Sequence, residues 1–323
     1  MLIDLFRSLL NPRRSDAGSA TPRIGQTQAS LDSLQRTLAS IGTGLEQVNN
    51  ALAQGNWLAH QHYQLAGQHF IDALLASARY ADPARLERSG FKAYSQNDED
   101  GMLAEIFRRI GSTNRLFVEI GVENGLENNT LYLLHNGWRG GWIECDDRCI
   151  EEIRNAFQEP LADATLRLGH ARVDRANVNA LISDFRLPRE IDLLSIDIDG
   201  NDYHVWQAIT SVEPRVVVIE YNARFVPPTR WVMPYNAAHV ADRNDYFGAS
   251  LASFAELGAA KGYALVGCNI TGSNAFFVRK DLALGKFQEP PSAENFYHPA
   301  RYFLTPAFVS GHPPRYGRSA PQT

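Results

Sequence analysis

Apolar residues recur at helical spacing through the first quarter of the chain. Ile24, Leu31, Leu34, Leu38, Ile41, Leu45, Val48 and Leu52 follow one another at intervals of 7, 3, 4, 3, 4, 3 and 4. From Leu31 this is a heptad seam, with Leu31, Leu38, Leu45 and Leu52 at one position and Leu34, Ile41 and Val48 at the other. Gly42 and Gly44 weaken the helix by about 1 kcal/mol each relative to Ala. So short a helix needs a partner, either another subunit or the body of its own protein. The register is expected to break past Gly55. Trp57, Leu58, Leu65, Phe70, Ile71, Leu74 and Leu75 continue a helical pattern toward Asp82-Pro83. His60, His62 and His69 lie on that stretch without a nearby carboxylate or cysteine to complete a metal site.

From Phe117 the period changes. Short apolar runs now alternate with helical segments: 117–120, 140–144, 164–173, 191–199, 214–221, 263–268 and 275–278 read as strands. Helices are expected at 101–110, after Thr130, at 151–157, 178–185, around Trp206 and Ile209, and at 251–261. Such alternation predicts an α/β fold with one open, mostly parallel sheet and helices on both faces. The segment 91–100, FKAYSQNDED, precedes the first strand and can reach over the mouth of the sheet crevice. Ser95 or Asn97 is its candidate helix cap, with Asp98, Glu99 and Asp100 suited to the helix's positive end. These patterns divide the chain into 1–25, an amphipathic segment and linker; 26–90, a helical oligomerisation region; 91–285, the α/β domain; and 286–323, a tail rich in proline and aromatics.

Composition narrows the class. Of the 323 residues, 44% are hydrophobic and 21% charged, as in ordinary globular proteins. A net charge of −5 argues against a chain built to hold nucleic acid. Cys145, Cys149 and Cys268 make neither a disulfide framework nor a zinc site, and read as reduced thiols of a cytoplasmic protein. No apolar run reaches the length of a membrane span. Residues 1–14, MLIDLFRSLLNPRR, are amphipathic. They suit either peripheral contact with the cytoplasmic face of a membrane or a helix packed on protein.

The candidate chemistry lies at the strand ends. Glu119, Glu144, Asp174, the pair Asp197 and Asp199, and Glu220 close five successive strands, and parallel strands bring these ends to one edge. Their mutual repulsion calls for a ligand, a cation or hydrogen bonds. The turn Gly121 to Gly125 follows the first strand, and Glu144 stands about 20 residues beyond it, where an acid reaches a ribose diol. A dinucleotide turn needs G-x-G-x-x-G; here Glu123 stands inside the turn. A carboxylate disfavours a pyrophosphate and favours a ligand carrying an ammonium and a sulfonium. S-adenosylmethionine therefore fits better than NAD or ATP.

The segments FVEIGVENGLENNT, GGWIECD, DLLSIDIDGNDYHVW and VVVIEYN, with the later FGASL and GCNITGSNAFFVR, resemble class I S-adenosylmethionine-dependent methyltransferases, in particular the FkbM-like group. The resemblance covers roughly residues 94–280 and implies a Rossmann-like, seven-stranded sheet. It implies that Glu119, Gly121 and Gly125 border the methionine part of the cofactor and that Glu144 takes the ribose hydroxyls. Asp174, or a neighbour, would sit by the adenine, with Asp197 as a further cofactor contact. The family's turn carries a third glycine where Glu123 stands.

Methyl transfer to an alcohol needs positioning and a route for the proton. Asp199, Glu220 and Asn222 are hard oxygen donors at adjacent strand ends, suited to Mg²⁺ or Mn²⁺. The resemblance to metal-dependent sugar O-methyltransferases points the same way. Asp202 and His204 follow in the same loop as candidate acid–base residues. The long segment 223–248 carries Arg224, Trp231, Tyr235 and Tyr246, a mix that stacks on and hydrogen-bonds to a sugar. The resulting expectation is an oligomeric O-methyltransferase acting on a sugar or glycan hydroxyl. The competing readings are a metal-independent small-molecule O-methyltransferase and a non-catalytic, cofactor-binding coiled-coil scaffold.

Overall fold

The computed structural model describes residues 20–240, 242, 244–308 and 314–317. The amphipathic segment 1–14 lies outside the described residues. The chain divides into a unit that ends at Gln61 and a unit that begins at His62.

Helix α1 runs from Ala20 to Leu75 without interruption. It starts inside the expected linker, passes Gly55 with no break, and stops at Leu75, ahead of Asp82-Pro83. Gly42, Gly44 and Gly55 lie within it, with nothing within 4 Å of where a Cβ would stand. A helical glycine costs backbone entropy but keeps its hydrogen bond, so three of them thin the helix face and leave its path intact. Among the described residues no helix is long and apolar enough to cross a membrane.

The second unit carries a seven-stranded sheet in the order β3-β2-β1-β4-β5-β7-β6. Its strands are β1 Leu116–Ile120, β2 Arg139–Glu144, β3 Leu166–His170, β4 Glu190–Ile196, β5 Glu213–Glu220, β6 Tyr263–Cys268 and β7 Asn274–Arg279. The first five are parallel, and β7 runs antiparallel to both β5 and β6. The expected Rossmann-like sheet is therefore present. Strand order reverses beside β1, which puts a crevice at the carboxyl ends of β1 and β4. β3 ends at His170, short of Asp174, because it is an edge strand and its only partner, β2, ends at Glu144 opposite His170.

Alternate residues of the central strands feed two cores. Val118, Ile120, Leu194, Ile196, Val217 and Ile219 enter one with Trp206 and Phe254. Phe117, Leu193, Val216 and Val218 enter the other with Met102, Trp142 and Phe157. This period of two explains why the central strands read as mainly apolar runs without alternation: both faces are covered. The covering helices are α2 Glu99–Ile110, α3 Leu131–His135, α4 Asp147–Ala156, α5 Gln158–Ala162, α6 Val178–Asp184, α7 Asp202–Ala208 and α8 Leu251–Ala260. Two short helices, Lys280–Ala283 and Ala293–Phe296, and a 3-10 turn, Tyr302–Phe308, follow the sheet. At the opposite edge from the crevice, buried Asp192 accepts backbone N–H groups of Thr113, Asn114 and Arg115 and pairs with Arg215 at 2.7 Å, fixing the entry to β1.

Candidate active site

The turn after β1 keeps the left-handed path that its glycines permit. Gly121 has φ +80°, and a Cβ there would stand 1.6 Å from the Asp197 carbonyl oxygen. Gly125, at φ +77°, leaves room for the Trp142 ring. Glu123 occupies the middle with φ +48°, so a side chain stands in glycine's conformation. That conformation costs about 1–2 kcal/mol. Glu144 offsets it. Its Oε2 accepts the N–H groups of Val122 at 3.1 Å and Glu123 at 2.9 Å, while Oε1 accepts those of Cys145 and Asp146 at 2.7 and 2.9 Å. The acid at the end of β2 thus holds the turn at the end of β1.

Glu119 lies under that turn, buried. It accepts the Asn129 N–H at 2.9 Å and the Thr130 hydroxyl. Burial pushes its carboxyl up to about 7, against the opposing pull of those hydrogen bonds.

Beside it, Asp197, Asp199 and Glu220 each bring a carboxylate oxygen within 4.8 Å of the others. Among the described residues no arginine or lysine pairs with them. Glu220 Oε2 is buried and has no hydrogen-bond partner. Asp199 sits at φ +51°, a conformation that aims it at the cluster and that asparagine and aspartate tolerate better than most residues. Burial and the facing carboxylates push Asp197 and Glu220 well above the carboxylate range. Three hard oxygen donors with an orphaned oxygen and no counter-charge fit a divalent cation.

Two cavities meet at this cluster. One, of about 420 Å³, is bordered by Glu119, Gly121, Glu123, Glu144 and Asp197. The other, of about 440 Å³, is bordered by Asp242, Asn244, Tyr246, Phe247, Tyr302 and Thr305. Gln96, Asp199, Glu220 and His239 border both. Gln96 is set by its acidic neighbours, which are buried and serve the loop more than the helix dipole. Asp100 accepts the N–H groups of Ala93, Tyr94 and Ser95, and Glu99 those of Asn97 and the Asn274 side chain. His239 Nε2 lies 3.0 Å from the Asp199 carbonyl. A carbonyl only accepts, so Nε2 carries the proton and Nδ1 is the ring's basic nitrogen.

Other residues singled out from the sequence stand elsewhere. Asp174 caps the turn into α6, accepting the N–H groups of Ala176 and Asn177 at 2.7 and 2.9 Å; Arg172 and Val173 border the cavity in its place. Asn222 is spent on the long loop, donating to the Asp245 and Phe247 carbonyls at 2.9 and 3.0 Å, and Asp197 completes the carboxylate cluster instead. Asp202 is buried, accepts the N–H groups of Ile198 and Gly200, and so shapes the loop that presents Asp199. His204 Nε2 is bound to the Met233 carbonyl at 2.8 Å, which removes it as a base at that nitrogen. Trp231 stacks on Phe225 at 4.3 Å, Tyr235 lies under the Arg175 guanidinium at 3.9 Å, and Arg224 pairs with Asp245 at 3.1 Å. Of the aromatic-loop residues named as substrate contacts, Tyr246 borders the second of these two cavities, and Arg224, Trp231 and Tyr235 border neither.

The residues that sequence reasoning missed are Gln96, Tyr302 and Thr305. Thr305 is tied to the loop before α2, its hydroxyl donating to Asn97 Oδ1 at 2.8 Å. No spacing signals a contact between residues so far apart in the chain. The one hint was the position of 91–100 directly before β1.

No protein-family model matches the sequence, and no curated protein matches it. Some solved structures show a distant likeness. An O-methyltransferase from Bacillus cereus in complex with SAH is 16% identical, with 67% of this chain and 89% of that chain covered and a TM-score of 0.36. CalS10, an amino pentose methyltransferase from Micromonospora echinaspora, is 14% identical over 58% of this chain and 92% of its own, TM-score 0.36. Magnesium protoporphyrin IX methyltransferase from Synechocystis PCC 6803 is 14% identical over 57% and 82%, TM-score 0.36. Likenesses this distant carry no argument, and the functional reading rests on the site.

Proposed function

We propose that this chain is an S-adenosylmethionine-dependent O-methyltransferase acting on a hydroxyl of a sugar or glycan, with a divalent cation at the acceptor. The observation that carries the proposal is the pair of cavities that share a wall of Asp199, Glu220, His239 and Gln96. Transfer between two ligands requires their reacting atoms to meet, and a shared wall provides that junction.

The cavity under the β1 turn is lined by Glu119, Glu123, Glu144 and Asp197. Such a lining favours a cationic ligand and opposes a pyrophosphate, which sets S-adenosylmethionine above a dinucleotide. Bound there, the cofactor supplies an electrophilic methyl group. Tyr246, Phe247 and Tyr302 give the second cavity aromatic faces, and Asn244, Asp242 and Thr305 give it polar edges, a combination suited to a sugar ring. Asp197, Asp199 and Glu220 would hold the cation, which lowers the pKa of an alcohol bound to it. His239 Nδ1 and the carboxylates stand at the same wall to take the hydroxyl proton.

The test is methyl transfer from labelled S-adenosylmethionine to neutral oligosaccharides, with Mg²⁺ or with EDTA. Transfer that EDTA abolishes supports the whole proposal. Full transfer in EDTA overturns the cation and leaves the metal-independent enzyme. Cofactor binding without transfer to any glycan of a cell extract favours the non-catalytic scaffold.

A further inference from the structure

The arm helix carries an exposed apolar seam. Leu31, Leu34, Leu38, Ile41, Leu45, Val48 and Leu52 are each between 47% and 64% exposed. They lie on one continuous helix, so the heptad register is unbroken from Leu31 to Leu52. In that register the a positions are Leu31, Leu38, Leu45 and Leu52, and the d positions are Leu34, Ile41 and Val48.

Two features identify the occupant. The first is charge. The charged residues of this stretch, Asp32, Arg36 and Glu46, fall at b, f and b, on the face away from the seam. The flanking e and g positions hold Ser30, Gln35, Thr37, Gly42, Gly44, Asn49 and Ala51, all uncharged. Identical helices can therefore meet side by side without placing like charges opposite one another, and no charge pattern selects a different partner. The second is shape. Leucine at every a position, with β-branched Ile41 and Val48 at two of the three d positions, disfavours the two-stranded coil and shifts the preference to more helices. As helices are added, the flanks of the seam turn inward, and small uncharged residues there are what a wider contact face accepts. Gly42 and Gly44 sit at e and g in the middle of the seam, where among the described residues nothing lies within 4 Å of the place a Cβ would take.

We propose that four copies of this chain associate through residues 31–52 as a parallel four-helix coiled coil. The proposal is independent of the reaction assigned to the second unit.

Light scattering on the full-length chain tests it. The expected mass is about 144 kDa, four times the 36.0 kDa chain. A monomer, dimer or trimer at micromolar concentration would overturn the assignment. The variant Leu38→Asp with Leu45→Asp should run as a monomer with its far-ultraviolet spectrum for the sheet unchanged, because both side chains are exposed within a single chain. A tetramer that survives this double change would place the contact elsewhere. Replacing all four a-position leucines by isoleucine should shift the mass toward three copies; no change of mass would count against a seam set by a and d. In a chain with Cys145→Ser and Cys149→Ser, Leu31→Cys should form a disulfide with its own counterpart under mild oxidation. Absence of that cross-link would rule out the parallel arrangement.

Discussion

Glu144 accepts the backbone N–H of Glu123 at 2.9 Å, joining the end of β2 to the turn after β1. That carboxylate holds Glu123, a residue other than glycine, in a left-handed conformation at the middle of the turn. It also leaves Glu123 facing the cavity, where burial, with the charge of Glu144 adding to it, raises its carboxyl above the ordinary range.

Glu144→Gln should therefore damage the turn and the cofactor site together. An amide offers one acceptor oxygen where the carboxylate uses two. The expected result is at least a tenfold weaker affinity for S-adenosylmethionine, about 1.4 kcal/mol, with a modest fall in Tm. Wild-type affinity measured by calorimetry would separate Glu144 from the cofactor.

The carboxylate cluster should behave oppositely in the presence and absence of cations. With Mg²⁺, Glu220→Gln is expected to remove EDTA-sensitive turnover while S-adenosylmethionine still binds. In EDTA the same change should raise Tm, because it relieves repulsion among Asp197, Asp199 and Glu220. A lower Tm in EDTA would contradict an uncompensated cluster.

The C-terminal turn should govern the acceptor and spare the cofactor. Tyr302 and Thr305 border the second cavity only, and Leu304 between them is buried against Ile71 and Ile270. Thr305→Ala should raise KM for the acceptor several-fold. Leu304→Ala removes a buried side chain, worth about 2–5 kcal/mol at a core site, and should unseat the turn with a larger effect. Neither should move the Kd for S-adenosylmethionine.

The contribution of Asp98 and Glu119 to stability should fall as pH rises from about 4 toward 7. Burial, with Glu99 adding to it, raises Asp98 from 3.8 to about 7, and burial raises Glu119 from 4.5 to about 7. In that window the unfolded chain has released these protons and the folded chain retains them. The folded state therefore binds more protons, and its advantage shrinks with increasing pH until both states are ionised above about 7. Other carboxylates, such as Glu105, are lowered and act in the opposite sense. The readout is thus a difference: Asp98→Asn should flatten the slope of denaturation free energy between pH 4 and 7. An unchanged slope would mean that Asp98 is already ionised in the fold.

The sheet was legible because its strands are buried on both faces, so Val216–Ile219 appears as an unbroken apolar run and Ile191–Ile196 as one interrupted only by Asp192 and Ser195. The acids at the strand ends were legible because a parallel sheet gathers them at one edge. What was not legible is how each polar side chain spends its hydrogen bonds. Asp174, Asp202, Asn222 and His204 have the right chemistry, yet each is committed to backbone groups nearby. Conversely, Gln96 and Tyr302 reach the site through tertiary contacts that no local pattern encodes. The continuous α1 shows the same limit: glycine propensity weakens the helix locally, and the helix nevertheless runs through Gly42, Gly44 and Gly55.

The central claim is that the crevice beneath the β1 turn takes a sulfonium cofactor. Isothermal titration calorimetry of the full-length chain tests it most directly, with S-adenosylmethionine and NAD titrated separately. One S-adenosylmethionine bound per chain, displaced by S-adenosylhomocysteine, with no heat from NAD, is the predicted result. Binding of NAD, or no binding of S-adenosylmethionine, would contradict it.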